Sequence, residues 1–296
     1  MPEPGKAGLS RKLALYWSMV RYGLAHHLDF AKEHYEFFAA MQQRLLPLAG
    51  DLRGSRILDL GCGKTFWLTL LLHSWGAQVT GIDTEAVEPG KNLGKYLGLW
   101  KTNGPERAAR TLVWDFIFAG PYYRELAKYA PFPLNFRNVD VRAQGIEEFR
   151  TPDGSLDLVV SHEVFEHLPD VPLALDQVRR MLKPTGLTYI YVHNFASLSG
   201  GHHIAWKYPD TEPSTEVPPW DHLREKRFPD IPSWINGWRE RDYRRAFAER
   251  FEIVDWFPLA REGEKLLTPA IQAELADYSA DELLTKGFVV IARPKP

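Results

Sequence analysis

The 296 residues predict an α/β protein: a doubly wound, mostly parallel sheet with helices on both faces. Two observations carry this reading. Short apolar runs alternate with helical segments, at residues 56–60, 78–83, 156–160 and 187–192. Such near-continuous apolar runs belong to parallel strands covered on both faces. The first run ends in Gly61-Cys62-Gly63 and the second in Asp83. Open parallel sheets bind their ligands at these carboxyl ends, where the strand order reverses.

The elements follow in order. Leu13, Tyr16, Trp17, Val20 and Leu24 recur at three- and four-residue spacing, as do Phe30, His34, Phe37, Phe38 and Met41. Two helical segments are therefore expected within residues 9–48, the second capped by Asp29. They form an N-terminal helical lid, residues 1–48, ahead of a main domain at 49–296. The first strand is followed by a helix from Phe66 to Trp75. Residues 85–135 are too long for one crossover and carry Leu112, Phe116, Tyr122, Tyr123 and Leu126, so a helical insertion is expected there. The turn Lys183-Pro184-Thr185-Gly186 leads into the strand at 187–192. Residues 193–238 form a long loop rich in His, Pro and Trp. Loops of that length in a compact domain are usually functional or disordered, and Trp206, Trp220, Trp234 and Trp238 argue against disorder. Residues 251–257 and 287–292 read as two more strands, with a helical segment between them near Pro269 to Leu284.

Composition narrows the partners. Lys and Arg number 36 against 38 Asp and Glu, a formal net charge of −2. No strong positive field exists to hold a nucleic-acid backbone, so no nucleic-acid partner is expected. Arg239, Arg241, Arg244 and Arg245 read as the solvated face of a helix. Cys62 is the single cysteine, which rules out an internal disulfide and a cysteine-based zinc site. The N-terminus shows no uninterrupted apolar core with a small-residue cleavage site, and no run approaches the roughly 20 apolar residues of a membrane span. A cytoplasmic protein with no membrane span is expected.

The glycine turn after the first strand lets a ligand approach the backbone, and the helix that follows offers free N–H groups. Asp83, about 20 residues later, suits the hydroxyls of a ribose. Two other nucleotide motifs fail locally. A dinucleotide fingerprint needs glycine where Phe66 stands, and a P-loop needs one where Leu58 stands.

Ile57-Leu58-Asp59-Leu60-Gly61-Cys62-Gly63 and Val79-Thr80-Gly81-Ile82-Asp83 resemble the first two motifs of the class I S-adenosylmethionine-dependent methyltransferases. The run from Asp153 to Leu168, with Ser161-His162-Glu163-Val164-Phe165-Glu166-His167, resembles the family's fourth-strand motif. Arg180 to Leu187 resembles its turn into strand five. The resemblance spans about 55–192 in family order and implies a seven-stranded sheet whose last strand inserts antiparallel. It implies S-adenosylmethionine as cofactor. Asp59, Gly61, Cys62 and Gly63 would surround its methionyl part, Asp83 would hold the ribose, and Gln144, Gly145 and Ile146 would flank the adenine. Ser161 and His162 would stand beside the methionyl end. The sequence departs from the family at Thr65, where a third glycine is common, and at Gln144 and Gly145, where an acid is common. His167 falls at a position of structural character.

The acceptor is addressed by the loop after strand five, which contains His193-Asn194, Gly200-Gly201-His202-His203 and Pro218-Pro219-Trp220-Asp221-His222. Oxygen methylation usually needs a base or a metal to remove the hydroxyl proton. His202, His203 and His222, oriented by Asp221, are candidate bases, and His162 is another. The same loop cluster could hold a divalent metal, but it lacks a tight His-x-x-x-His spacing and no metal is assigned. Trp206, Tyr208, Trp220, Trp234 and Trp238 offer faces that could stack on a ring or equally anchor the loop. The expected acceptor is a hydroxylated small molecule, a sugar or glycan intermediate among them. Nitrogen or carbon methylation on the same fold remains open, as does a catalytically silent cofactor-binding partner. Tyr16, His34 and Tyr35 are placed either at the cofactor or, with more weight, in helix–helix packing.

Overall fold

The structure, a computed structural model, describes residues 9–84, 93–206, 209, 212–224, 226 and 234–295. In chain order the elements are α1 (Leu9–Ala49), β1 (Arg56–Leu60), α2 (Trp67–Trp75), β2 (Gln78–Asp83), α3 (Leu93–Asn103), α4 (Pro105–Val113) and α5 (Ala119–Tyr129). They continue with β3 (Asp140–Ala143), β4 (Leu156–His162), α6 (Val171–Met181), β5 (Leu182–His193), α7 (Glu240–Arg250), β6 (Phe251–Arg261), α8 (Pro269–Glu274), α9 (Ala280–Leu284) and β7 (Thr285–Pro294). No helix among the described residues is long and apolar enough to cross a membrane.

The chain divides into two compact units. The first holds α1 to Leu45 and the insertion that carries α3 to α5. The periodic residues at 13–24 and 30–41 lie on one helix of 41 residues, not two. Neither proline nor a cap interrupts the run before Pro47, so Asp29 lies inside the helix. The side chains of residues 9–27, Tyr16 included, lie outside the described set. His34 Nδ1 lies 2.6 Å from the Tyr122 hydroxyl, and Tyr35 stacks on Tyr129 at 6.2 Å between ring centroids. Both side chains are thus used in packing α1 against α5. The described part of the insertion is helical through α3 to α5, and a π-helical turn at Trp114–Phe118 joins α4 to α5.

The second unit is the sheet, with strand order β3-β2-β1-β4-β5-β7-β6. β1 to β5 run parallel, and β7 lies antiparallel between β5 and β6. This is the seven-stranded, mostly parallel arrangement that the sequence predicts. The apolar runs are buried because helices cover them. Leu175, Val178 and Met181 of α6 join Tyr243 and Phe247 of α7 in one core with Leu58, Val159, Ile190 and Val290. Asp170 caps α6 by accepting the Leu173 N–H at 2.9 Å, ahead of Pro172 in the first turn. β5 takes in the predicted turn at 183–186, because a register shift opposite Leu156 and Leu158 absorbs the extra residues. Three arginines at and within α7 are paired in place: Arg239, just before the helix, with Glu282, Arg244 with Glu240 and Arg245 with Asp242.

The turn after β1 is the tightest point of this unit. Gly61 has φ +81°, and a Cβ there would lie 2.1 Å from Val164 Cγ2. Gly61→Ala is expected to lower stability by about 1–3 kcal/mol through left-handed strain and overpacking. In chemical denaturation, adding Val164→Ala should return part of that loss by opening the space. A Gly61→Ala protein as stable as the parent contradicts this account.

Candidate functional site

The functional residues gather where β1, β2, β4 and β5 end. The turn after β1 is clamped onto β2: Gly61 and Cys62 donate backbone N–H groups to Ile82 O at 2.8 and 3.1 Å. Gly63 donates its N–H to Asp83 Oδ2 at 3.0 Å. Gly63 has φ +61°, and a Cβ built on it meets open space. The turn therefore presents bare backbone toward the side where Asp83 stands partly exposed. Phe66, also left-handed, leads directly into α2 without a side-chain cap, so the first amides of α2 face the same end of the strands. These features fit the nucleoside and the charged amino acid end of S-adenosylmethionine, which brings a methyl group on a cationic sulfur.

Other residues expected at the cofactor serve from behind the turn. Asp59 is buried and accepts the Thr69 hydroxyl at 2.6 Å, bracing the first helical turn; burial pushes its carboxyl up to about 7. The Cys62 thiol is buried against the backbone of β2, and burial pushes its pKa up. Ser161 gives its hydroxyl to Leu60 O at 2.8 Å and latches β4 to β1. Ile146 belongs to the apolar core. Gln144 donates its N–H to Asp83 O at 3.1 Å, which keeps the turn after β3 beside β2. No acid stands at Gln144 or Gly145 themselves, and the nearby acid is Glu147. Its Oε2 lies 2.5 Å from where a Gly145 Cβ would stand, so the carboxylate folds back over the glycine.

The histidines divide by what they touch. His162, at the end of β4, lies edge-on to Trp67 and 4.9 Å from the Tyr191 ring. His202 stacks on His193 at 4.6 Å and meets His167 edge-on at 4.9 Å. His203 and His222 do not join them. His203 Nδ1 accepts the Ala205 N–H at 3.1 Å and supports a short helical turn. His222 donates Nε2–H to Phe195 O at 2.8 Å, and burial lowers its pKa to about 4. Its ring fills the space that Gly201 leaves, where a Cβ would lie 2.6 Å away. His222 is therefore a neutral packing residue, and Asp221 beside it is buried in the loop. Trp206 and Trp220 are buried in a small core with Leu198, Val217, Leu275 and Leu283. They anchor the loop and offer no face to a sugar. Trp238 packs against the main core, Trp234 is 57% exposed, and Tyr208 lies outside the described residues.

The sequence reading passed over Glu163, Glu166, His193, Ser199 and Glu262 as site residues. His193 ends β5, and its Nδ1 lies 3.9 Å from Glu163 Oε1. Glu262 Oε1 accepts both the N–H and the hydroxyl of Ser199, each at 2.7 Å. With its proton committed to Glu262, the Ser199 hydroxyl accepts from His193 Nε2 at 2.8 Å. Glu166 is only 1% exposed, and burial raises its pKa well above the usual value. Among the described residues, one set of side chains is spaced to share a metal ion: Glu166, His167 and His202. It is not the loop quartet of His202, His203, Asp221 and His222.

Two outcomes follow. Asp83→Ala should weaken binding of S-adenosylhomocysteine in calorimetry by about tenfold or more, the worth of a hydrogen bond to a charged group; an unchanged Kd contradicts the assignment. His222 has a depressed folded pKa, so its contribution to stability is present above the unfolded value of 6.5 and is lost as pH falls toward about 4. The loss is worth up to about 3 kcal/mol. Urea denaturation read by tryptophan fluorescence should show a slope between these values that His222→Gln lacks.

Comparison with known proteins shows the family. The model of the family described as "Methyltransferase domain" matches residues 30–254. A ubiquinone biosynthesis O-methyltransferase of Xanthomonas oryzae pv. oryzae is 26% identical over 206 residues, covering 64% of this chain and 71% of the relative. One of Bordetella avium is 28% identical over 148 residues, covering 50% of this chain and 46% of the relative. Among solved structures, an S-adenosylmethionine-dependent methyltransferase of Mesorhizobium loti superposes with TM-score 0.48 at 16% identity, covering 86% of this chain and 96% of the other. The chain belongs to the methyltransferase-domain family, whose methyl donor is S-adenosylmethionine.

Proposed function

We propose that the protein methylates an oxygen atom, a hydroxyl carried on the ring of a small acceptor. The observation that carries this reading is the gathering of proton-handling groups at the ends of β4 and β5: Glu163, Glu166, His167, His193 and His202. Methyl transfer is an in-line displacement in which the acceptor must be held close to the methyl and aligned with the sulfur. A hydroxyl is a poor nucleophile until its proton leaves, so oxygen methylation needs side chains of this kind where a softer nucleophile does not. The strand order places the β4 end next to the glycine turn of β1, and the β5 end one strand further. Adjacent strands lie about 4.8 Å apart, so a small acceptor can bridge the two.

The relatives' printed activity is also oxygen methylation, in ubiquinone biosynthesis, which favours a ring hydroxyl over an amine. The carbohydrate expected from the loop's tryptophans loses its support, because Trp206 and Trp220 are inside the loop core. His162 and His202 remain beside the reaction, whereas His203 and His222 are taken up by backbone partners.

The test is incubation of the purified protein with methyl-labelled S-adenosylmethionine and a panel of ring diols, phenols, sugars and amines. A labelled ether on a hydroxyl of a ring diol or phenol is the expected product. Label on nitrogen or carbon, or on sugars alone, overturns the reading.

A further inference from the structure

We propose that Glu166, His167 and His202 form a binding site for one divalent transition-metal cation, of the class of Zn²⁺, Mn²⁺ or Co²⁺. The argument begins with Glu166. Its side chain is buried to 1% exposure, and neither carboxylate oxygen has a hydrogen-bond partner among the described residues. Glu163 adds a second negative charge beside it. A buried carboxyl group with no hydrogen-bond partner is costly in either protonation state unless it is paired or binds a metal. No lysine or arginine pairs with Glu166 among the described residues; the groups beside it are imidazoles.

Those imidazoles are set as ligands. His167 donates Nδ1–H to Trp234 O at 2.8 Å, which leaves Nε2 as the nitrogen with a lone pair. Holding one ring nitrogen on a carbonyl is the usual way a protein orients a metal-binding histidine. His202 has φ +54°, a left-handed backbone uncommon for a side chain other than glycine or asparagine. Its N–H is held by Ser199 O at 2.8 Å, and its ring lies between His193 and His167. The ligand atoms of Glu166, His167 and His202 lie within 4.8 Å of one another. Two metal–ligand bonds of about 2.1 Å span about 4.2 Å, so a small inward shift brings all three onto one ion. Two nitrogens and one carboxylate favour a first-row transition metal over Mg²⁺ or Ca²⁺, which prefer oxygen ligands. Three protein ligands leave a position for a further oxygen. The site lies at the ends of β4 and β5, where the proposed function puts the acceptor hydroxyl, but the inference stands on the ligand geometry and not on that reading.

The experiment uses the untagged full chain, stripped of metal with a chelator. Calorimetric titration with ZnCl₂, and separately with MnCl₂, is expected to show one equivalent bound by the parent. Glu166→Gln and His202→Asn should each weaken binding by about tenfold or more, the effect of losing one ligand-bond's worth of affinity. Each variant's S-adenosylhomocysteine affinity, measured alongside, reports that the sheet is intact. The Co²⁺ form should gain visible absorption bands that His202→Asn alters. The inference is overturned if no stoichiometric cation binds at micromolar concentration. It is also overturned if the two variants bind as the parent does, which would mark an adventitious surface ion. Neither readout needs turnover, so failure of the oxygen-methylation reading leaves this result separately decided.

Discussion

The rest of the structure depends on the way the backbone after β1 is folded onto the end of β2. Gly61 and Cys62 both donate to Ile82 O, and Gly63 donates to the Asp83 carboxylate. These three bonds bring two motifs twenty residues apart into one surface. They also require the left-handed backbone that only glycine adopts easily, with Val164 closing the space where a side chain would go. Ser161 ties β4 to the same point through Leu60 O. The donor side of the site is thus a property of the parallel sheet itself, fixed by strand ends rather than by mobile side chains.

The side proposed for the acceptor is built differently, from described residues of the loop after β5 that buried polar groups hold in place. Asn194 donates to the carbonyls of Glu282 and Thr285, and Glu262 holds Ser199 by two hydrogen bonds. Trp206 and Trp220 supply the apolar half of the same anchorage. Buried polar networks rigidify when their members find partners. His193, at the end of β5, lies against His202, and His202 in turn meets His167 and stands near Glu166. Methyl transfer needs this division: one rigid surface to hold the donor and another, carrying ionisable groups, to align and activate the nucleophile.

Much of the donor side was legible in the sequence because it is local. A glycine turn at the end of an apolar run, and an acid at the end of the next, announce their positions without knowledge of the fold. The alternation of strands and helices and the helical insertion followed from periodicity and segment length, whereas the count of seven strands and the antiparallel last strand came from the family resemblance. The acceptor side was legible only in outline. The loop stood out by its histidines, but which ones matter depends on contacts across the chain. His222 and His203 look like bases in sequence and turn out to be held by Phe195 O and the Ala205 N–H. Glu166 carries no signal of its own in the sequence, and only its burial without a hydrogen-bond partner brings it out. Glu262 meets Ser199 across 63 residues, and no spacing rule reaches that far. Glu147 stood close to the positions considered for adenine, yet only the fold of its side chain over Gly145 reveals it.

A crystal structure of the chain soaked with S-adenosylhomocysteine tests the central claim most directly. The account predicts the ribose hydroxyls on Asp83, the amino acid end along Gly61 to Gly63, and the sulfur facing the ends of β4 and β5, toward Glu163 and His202. Density for the ligand elsewhere in the molecule, or at the glycine turn with its sulfur directed toward β3, would contradict it.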